Sequence, residues 1–201
     1  MDARDLFLDQ HAAVHSAAVG GNKMSAAERA LGGLTDEQMR VRPREDLNSL
    51  AWLMWHIARA EDIMTNIIVN GRDQVFDDGW LPRLKITRRD FGMGMSKPEV
   101  SELSEKIDLA ALRDYRDAVG RRTQEIVRAY GDKDWEGNLE AASLEKAGAL
   151  GCFGDRTETF VKGFTGRPRR AVLTSIAVMH SAMHMGEGAT VRQAGGFGTG
   201  I

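Results

Sequence analysis

The sequence predicts an all-α protein, a four-helix bundle with two long connections that carry short helices. Three observations predict it. Four long stretches repeat apolar residues at steps of three and four. Asp, Ser, Asn, Pro and Gly stand where such stretches would start and stop. Alternating β-branched or aromatic runs are absent, and only Phe160-Val161-Lys162 hints at a strand.

The first stretch runs from about Ala3 to Leu31, interrupted at Gly20-Gly21 and stopped by Gly32-Gly33. The second starts at Asn48 or Ser49, both good N-caps, and ends near Asn70-Gly71. The third is preceded by a short piece from Pro98 to Lys106, restarts with Asp108 as its cap, and ends near Tyr130-Gly131. The fourth opens at Pro168, where a missing N–H is harmless, and reaches Ala194 before Gly195-Gly196. The connection from Arg72 to Lys97 holds Phe76, Trp80, Leu81, Leu84, Phe91, Met93 and Met95. It is too apolar for disorder and is expected to pack over one end of the bundle. The connection from Asp132 to Arg167 is expected to hold a helix around Leu139 to Ala149.

Composition narrows the function. The 201 residues are 42% hydrophobic and 28% charged, which suits a single domain over 1–201. With 27 basic against 29 acidic residues, the net charge of −2 offers no stripe for nucleic acid. The basic cluster Arg167-Pro168-Arg169-Arg170 reads as a solvated helix start. No apolar run approaches the ~18 residues of a membrane span, and the acidic opening Met1-Asp2-Ala3-Arg4-Asp5 is unlike a signal peptide. A cytoplasmic protein is expected, with a small-molecule substrate and neither nucleic acid nor membrane as partner. The single cysteine, Cys152, rules out an internal disulfide and a multi-thiolate zinc site. It reads as a small thiol, buried or partly exposed, with a catalytic nucleophile as the lesser alternative.

The chemistry lies in the histidines. Leu173, Ile176, His180, His184, Glu187 and Val191 share one face of the fourth helix. Burying that many polar groups without partners would cost several kcal/mol. His at i and i+4 stand about 5–6 Å apart at Cβ, so both imidazoles can reach one metal ion. On the second helix, His56 interrupts the stripe of Trp52, Ala60, Ile63 and Ile67, and would be a third ligand. Each could instead be a core histidine with an ordinary hydrogen-bond partner. His11 and His15 form another i, i+4 pair, either a second metal site, part of the first, or a partly exposed helix face. Glu187, one turn beyond His184, could accept a ligand N–H or act as a general base. Arg59 and Tyr115 are further polar candidates near the ion, and Glu61 could pair on its own helix. Trp52, Trp55 and Trp80 read as core. A ferritin-like di-iron site needs Glu three residues before a His, but Leu53, Ala177 and Ser181 stand there.

The segment Leu34-Thr35-Asp36-Glu37-Gln38 through Arg42-Pro43, then Asn48 to Glu61 with its Trp52-Leu53-Met54-Trp55-His56 core, resembles the DinB-like (DinB/YfiT) family. So does the final helix, His180-Ser-Ala-Met-His184-Met-Gly-Glu187, with the glycines that follow it. This helical family is unrelated to the DNA polymerase of similar name. The resemblance covers nearly the whole chain. It implies an up-down-down-up bundle, often a homodimer, with a metal on His56, His180 and His184. Zinc and nickel are the metals it implies; nitrogen ligands also suit iron and copper. Characterised relatives are thiol S-transferases using bacillithiol or mycothiol, and a mycothiol-dependent isomerase. The expectation is therefore a thiol-dependent transferase with a low-molecular-weight thiol as cosubstrate. A metal-dependent hydrolase and a non-catalytic metal-binding protein are the alternatives.

Overall fold

The computed structural model describes residues 2–21 and 23–200. Met1, Asn22 and Ile201, which the sequence reading includes in its domain, lie outside the described residues. Among the described residues there is no strand, only an isolated antiparallel bridge between Asn138 and Pro168.

The first stretch is three helices, α1 (Ala3–Val14), α2 (Ala17–Gly20) and α3 (Ala26–Leu31). Its first break falls at His15, ahead of the glycine pair, because side chains there replace helical bonds. Ser16 Oγ donates to Asp117 at 2.5 Å, and the Ala17 N–H donates to Glu28 at 2.8 Å. A short α4 (Asp36–Arg40) follows, its first turn closed by the reciprocal cap of Thr35 and Gln38.

Helix α5 (Leu50–Glu61) is capped by Ser49, whose hydroxyl accepts the Trp52 N–H. It continues without interruption as a π-helical segment, Asp62–Val69. All twelve residues of α5 are buried, and so are all eight of the π segment. The later helices are α6 (Trp80–Leu84), α7 (Lys97–Lys106), α8 (Leu109–Arg128), α9 (Ala141–Ala149), α10 (Thr157–Phe164), α11 (Arg169–Thr174) and α12 (Ser181–Ala194). A second π segment, Ser175–His180, joins α11 to α12. The strand hint at Phe160-Val161-Lys162 is wrong: these residues lie in α10. Helical spacing there lets the Phe160 ring stack on Phe164 at 5.6 Å and, across a turn, on Phe153 at 4.3 Å.

Helix α5 packs against α8, α12, α4 and α7, and α12 packs against α3. Three apolar clusters result, two of them large. One gathers Trp52, Trp55, Leu112 and Tyr115; the other gathers Ile63, Ile67, Phe91, Phe153 and Leu173. The apolar connection after α5 is fastened to the core by buried polar groups. Asp62, fully buried, accepts the backbone N–H groups of Val75 and Phe76 at 2.8 and 2.9 Å and the Tyr115 hydroxyl at 2.7 Å. Arg59, also fully buried, bonds the Tyr115 oxygen, Gln74 and the Arg89 carbonyl. Its guanidinium stands 4.1 Å over the Phe76 ring.

Removing Asp62 strands the Arg59 cation in an apolar interior, a loss of about 3–5 kcal/mol. Asp62→Ala is therefore expected to lower unfolding stability by that order in urea and to expose the segment between Arg72 and Met95 to limited proteolysis. A variant as stable and as protease-resistant as the parent would contradict the fastening role.

Candidate metal centre

Three helical pieces bring the histidines together. His56 comes from the middle of α5, His180 from the last residue of the second π segment, and His184 from the first turn of α12. Their ligand nitrogens lie within 4.8 Å of one another. His56 Nε2 is 3.1 Å from His180 Nε2, and the three ring centroids are 4.5–5.0 Å apart. The wider π turn alters the face read from the sequence: Ala177 and Val178 enter the core, whereas Ile176 is only half-buried.

The second ring nitrogens are held in ways that free the first. His56 Nδ1–H donates to the Phe91 carbonyl at 2.5 Å, which leaves its Nε2 lone pair facing the other two rings. His184 Nδ1–H donates to Glu187 at 2.8 Å, and Asn48 donates to the other Glu187 oxygen at 3.2 Å. The carbonyl behind His56 and the carboxylate behind His184 are the kind of partner that orients metal-bound histidines. His180 Nδ1 is buried without a partner. Trp52 stacks on His56 at 4.7 Å and 10°, fixing the ring plane.

Electrostatics agree with the geometry. Burial pulls His56 down from 6.5 to about 4. Burial, and then the neighbouring rings of His56 and His184, pull His180 down to about 3. Both are neutral near pH 7, so each ring has one nitrogen with a free lone pair. The hydrogen bond from His184 holds the Glu187 carboxyl below its ordinary range, so it remains an anion beside the triad. The donor set thus fits a borderline divalent ion. The cluster opens to solvent on one side, where the His184 and Glu187 side chains are 20% and 33% exposed.

Other candidates fall elsewhere. Arg59 and Tyr115 bond Asp62 and the Arg72–Met95 connection. Glu61 pairs with His11 across helices at 3.0 Å. His11 and His15, far from a partly exposed face, are both completely buried in a cluster separate from the triad. Trp52 and Trp55 are buried, as expected, and Trp80 is half-buried. Cys152 is a buried thiol whose pKa burial pushes up. Phe91 and Asn48 were missed as site residues. A backbone carbonyl leaves no trace in sequence, and Asn48 reads there only as a helix cap.

Fold and site define an all-helical protein built around a convergent histidine triad. Residues 24–187 match the family described as the DinB superfamily, and the chain belongs to it. A solved structure, described as that of the conserved protein of locus from Enterococcus faecalis, superposes with a TM-score of 0.67 at 17% identity. The likeness covers 96% of this chain and 97% of that chain, and at this identity it is a likeness of fold. No curated protein matches the sequence. No helix among the described residues is long and apolar enough to cross a membrane.

The neutral imidazoles make stability depend on pH. Between about 4 and 6.5 for His56, and down to about 3 for His180, the unfolded chain binds more protons than the folded one. The metal-free protein should therefore lose stability as pH falls from 6.5 through 4, by on the order of 3 kcal/mol for His56. The double variant His56→Gln/His180→Gln should show a flatter curve in chemical denaturation over this range. An unchanged slope would reject neutral burial.

Proposed function

We propose that the chain is a metal-dependent enzyme holding one divalent ion on His56, His180 and His184, and that its reaction is thiol-dependent group transfer. The observation that carries the metal reading is the convergence of neutral imidazoles backed by the Phe91 carbonyl and the Glu187 carboxylate. The reaction class follows from membership of the DinB superfamily together with a three-nitrogen donor set that leaves positions open. Bound there, the ion would lower the pKa of a thiol or water, supplying a nucleophile near neutral pH.

The chain's own residues would do the rest. His184 and Glu187 face solvent and are where a cosubstrate thiol would enter. The thiol proton would pass to Glu187 or to water, its sulfur would bond to an electrophilic carbon, and the leaving group would depart with the electron pair. Phe91, whose ring centroid is 5.7 Å from that of His56, would shield one side from water. Zinc or nickel, a single four-helix up-down-down-up domain over 1–201, a homodimer and a cytoplasmic location complete the reading.

Two measurements test it. Purified protein should contain a divalent ion that His56→Ala/His180→Ala/His184→Ala loses, as read by elemental analysis. The loaded protein should conjugate glutathione, mycothiol or bacillithiol to an electrophile such as a chlorodinitrobenzene. His56→Ala should lower that rate by at least about tenfold. Cys152→Ala should leave it unchanged, because the incoming thiol is the nucleophile. Activity lost in the cysteine variant but kept in the histidine variants would overturn the assignment.

A further inference from the structure

A second group of metal-ligating side chains lies deeper than the first. His11, near the end of α1, His15, just beyond it, and Glu61, at the end of α5, bring ligand atoms within 4.8 Å of one another. His11 and His15 are completely buried and Glu61 is 2% exposed. The chain turns extended at His15, which sets its ring 5.0 Å from that of His11. We propose that His11, His15 and Glu61 form a second, structural divalent-metal site that ties α1 to α5.

Three observations support it. First, His15 Nε2 is buried without a hydrogen-bond partner. An unanswered buried polar atom is costly, and ligation answers it. Second, room for this nitrogen is built into α8. A Cβ at Gly120 would lie 2.4 Å from His15 Nε2, so any larger residue would drive the ring out. Third, two imidazoles and a carboxylate are a donor set that holds zinc.

The groups behind the ligands fit the same reading. Ser16 Oγ lies 3.2 Å from His15 Nδ1 and spends its own proton on Asp117 at 2.5 Å, which leaves a lone pair to accept Nδ1–H. The Ser16 N–H now donates to that Nδ1 at 2.8 Å, so ligation requires the ring to turn off this bond. Gln124 lies 3.5 Å from His11 Nδ1; it becomes the acceptor only if its amide turns, which gives up the bond its oxygen accepts from Arg128 at 2.8 Å. Ligation through Nε2 places the ring proton of each imidazole on Nδ1. Thr123 Oγ1 donates to Glu61 at 2.6 Å and keeps that carboxylate in place.

Charge decides whether a dication is tolerated. The cations of Arg116 and Arg121 act on His15 and oppose it. The carboxylates of Glu61, Asp117 and Glu28 surround Arg116. Three anions against two cations leave the pocket net negative before an ion enters. Arg116 spends little of its charge on other partners: its hydrogen bond, to the Val14 carbonyl, is a long 3.4 Å. Completely buried and closed by Phe7, which stacks on His11 at 5.9 Å, the site has no access for a substrate. Its role is to hold helices together.

The test uses the full chain stripped with chelator and titrated with zinc, read by bound metal and by melting temperature. The parent should bind about two ions and Glu61→Gln about one, with His15→Gln behaving like Glu61→Gln. His56→Ala/His180→Ala/His184→Ala should still bind about one, and zinc should raise its melting temperature. Glu61→Gln keeps the hydrogen bonds of the carboxylate and removes its charge, so folding is preserved. Glu61→Gln and His15→Gln binding as much zinc as the parent would overturn the proposal. So would a folded triad variant that binds none. Failure of the triad reading shows separately, as a triad variant that binds as much zinc as the parent.

Discussion

Helix α5 and the π segment after it are buried over twenty consecutive residues, and the imidazole and charged side chains among them are answered from other parts of the chain. Six of them carry strongly polar side chains: His56, Arg59, Glu61, Asp62, Thr65 and Asn66. The answers reach in different directions. His56 is met by the Phe91 carbonyl and by His180, Arg59 and Asp62 by the connection between Arg72 and Met95, and Glu61 by α1 and α8. The apolar side chains of α5 supply burial energy without direction. Its polar ones decide which segment lies where.

That requirement links the connection to the triad. Arg59 grips the Arg89 carbonyl, and two residues on the Phe91 carbonyl accepts His56 Nδ1–H. Between them Asp90 accepts the Gly92 N–H at 2.7 Å and pairs with Arg88. The segment that fixes the His56 tautomer is thus itself held by buried charges one turn further along α5. Gly92, in a left-handed conformation, lets the backbone pass close to Trp55 and Trp52, where a Cβ would stand 2.6 Å from the Trp55 ring. The orientation of the His56 ring therefore rests on packing and ion pairing that lie outside the triad.

The long stretches were legible because their signals are local. Ser49, Asp108 and Pro168 mark helix starts by chemistry that involves only the next turn. The three triad histidines could be picked out because a polar residue on an apolar stripe requires a partner. What stayed hidden depends on distant contacts. The break at His15 is made by Asp117 and Glu28, far along the chain, so Gly20-Gly21 drew attention instead. The π segments are set by helix-on-helix packing and have no local sequence mark, which is why a strict 3.6-residue period placed Ile176 too deep. Thr35 to Gln38 does carry a capping signature, yet five helical residues are too few to show a period. Arg59 stands out in the sequence as a polar residue near His56, and Tyr115 as a polar residue on another helix; Asp62, which bonds both, also interrupts an apolar run and is the better clue.

The two histidine clusters differ less in donors than in surroundings, and surroundings decide what each can do. Both place imidazoles beside a carboxylate. In the triad the carboxylate is half-open and stands behind a ligand, so it can orient His184 and still exchange a proton with solvent. In the inner cluster the carboxylate is sealed among His11, Thr123 and the arginines, where a proton or a substrate has no route. Low dielectric strengthens every charge interaction there, which favours a permanent cross-link and disfavours turnover. The triad lies where burial is deep enough to keep His56 and His180 neutral and shallow enough to leave His184 and Glu187 partly exposed.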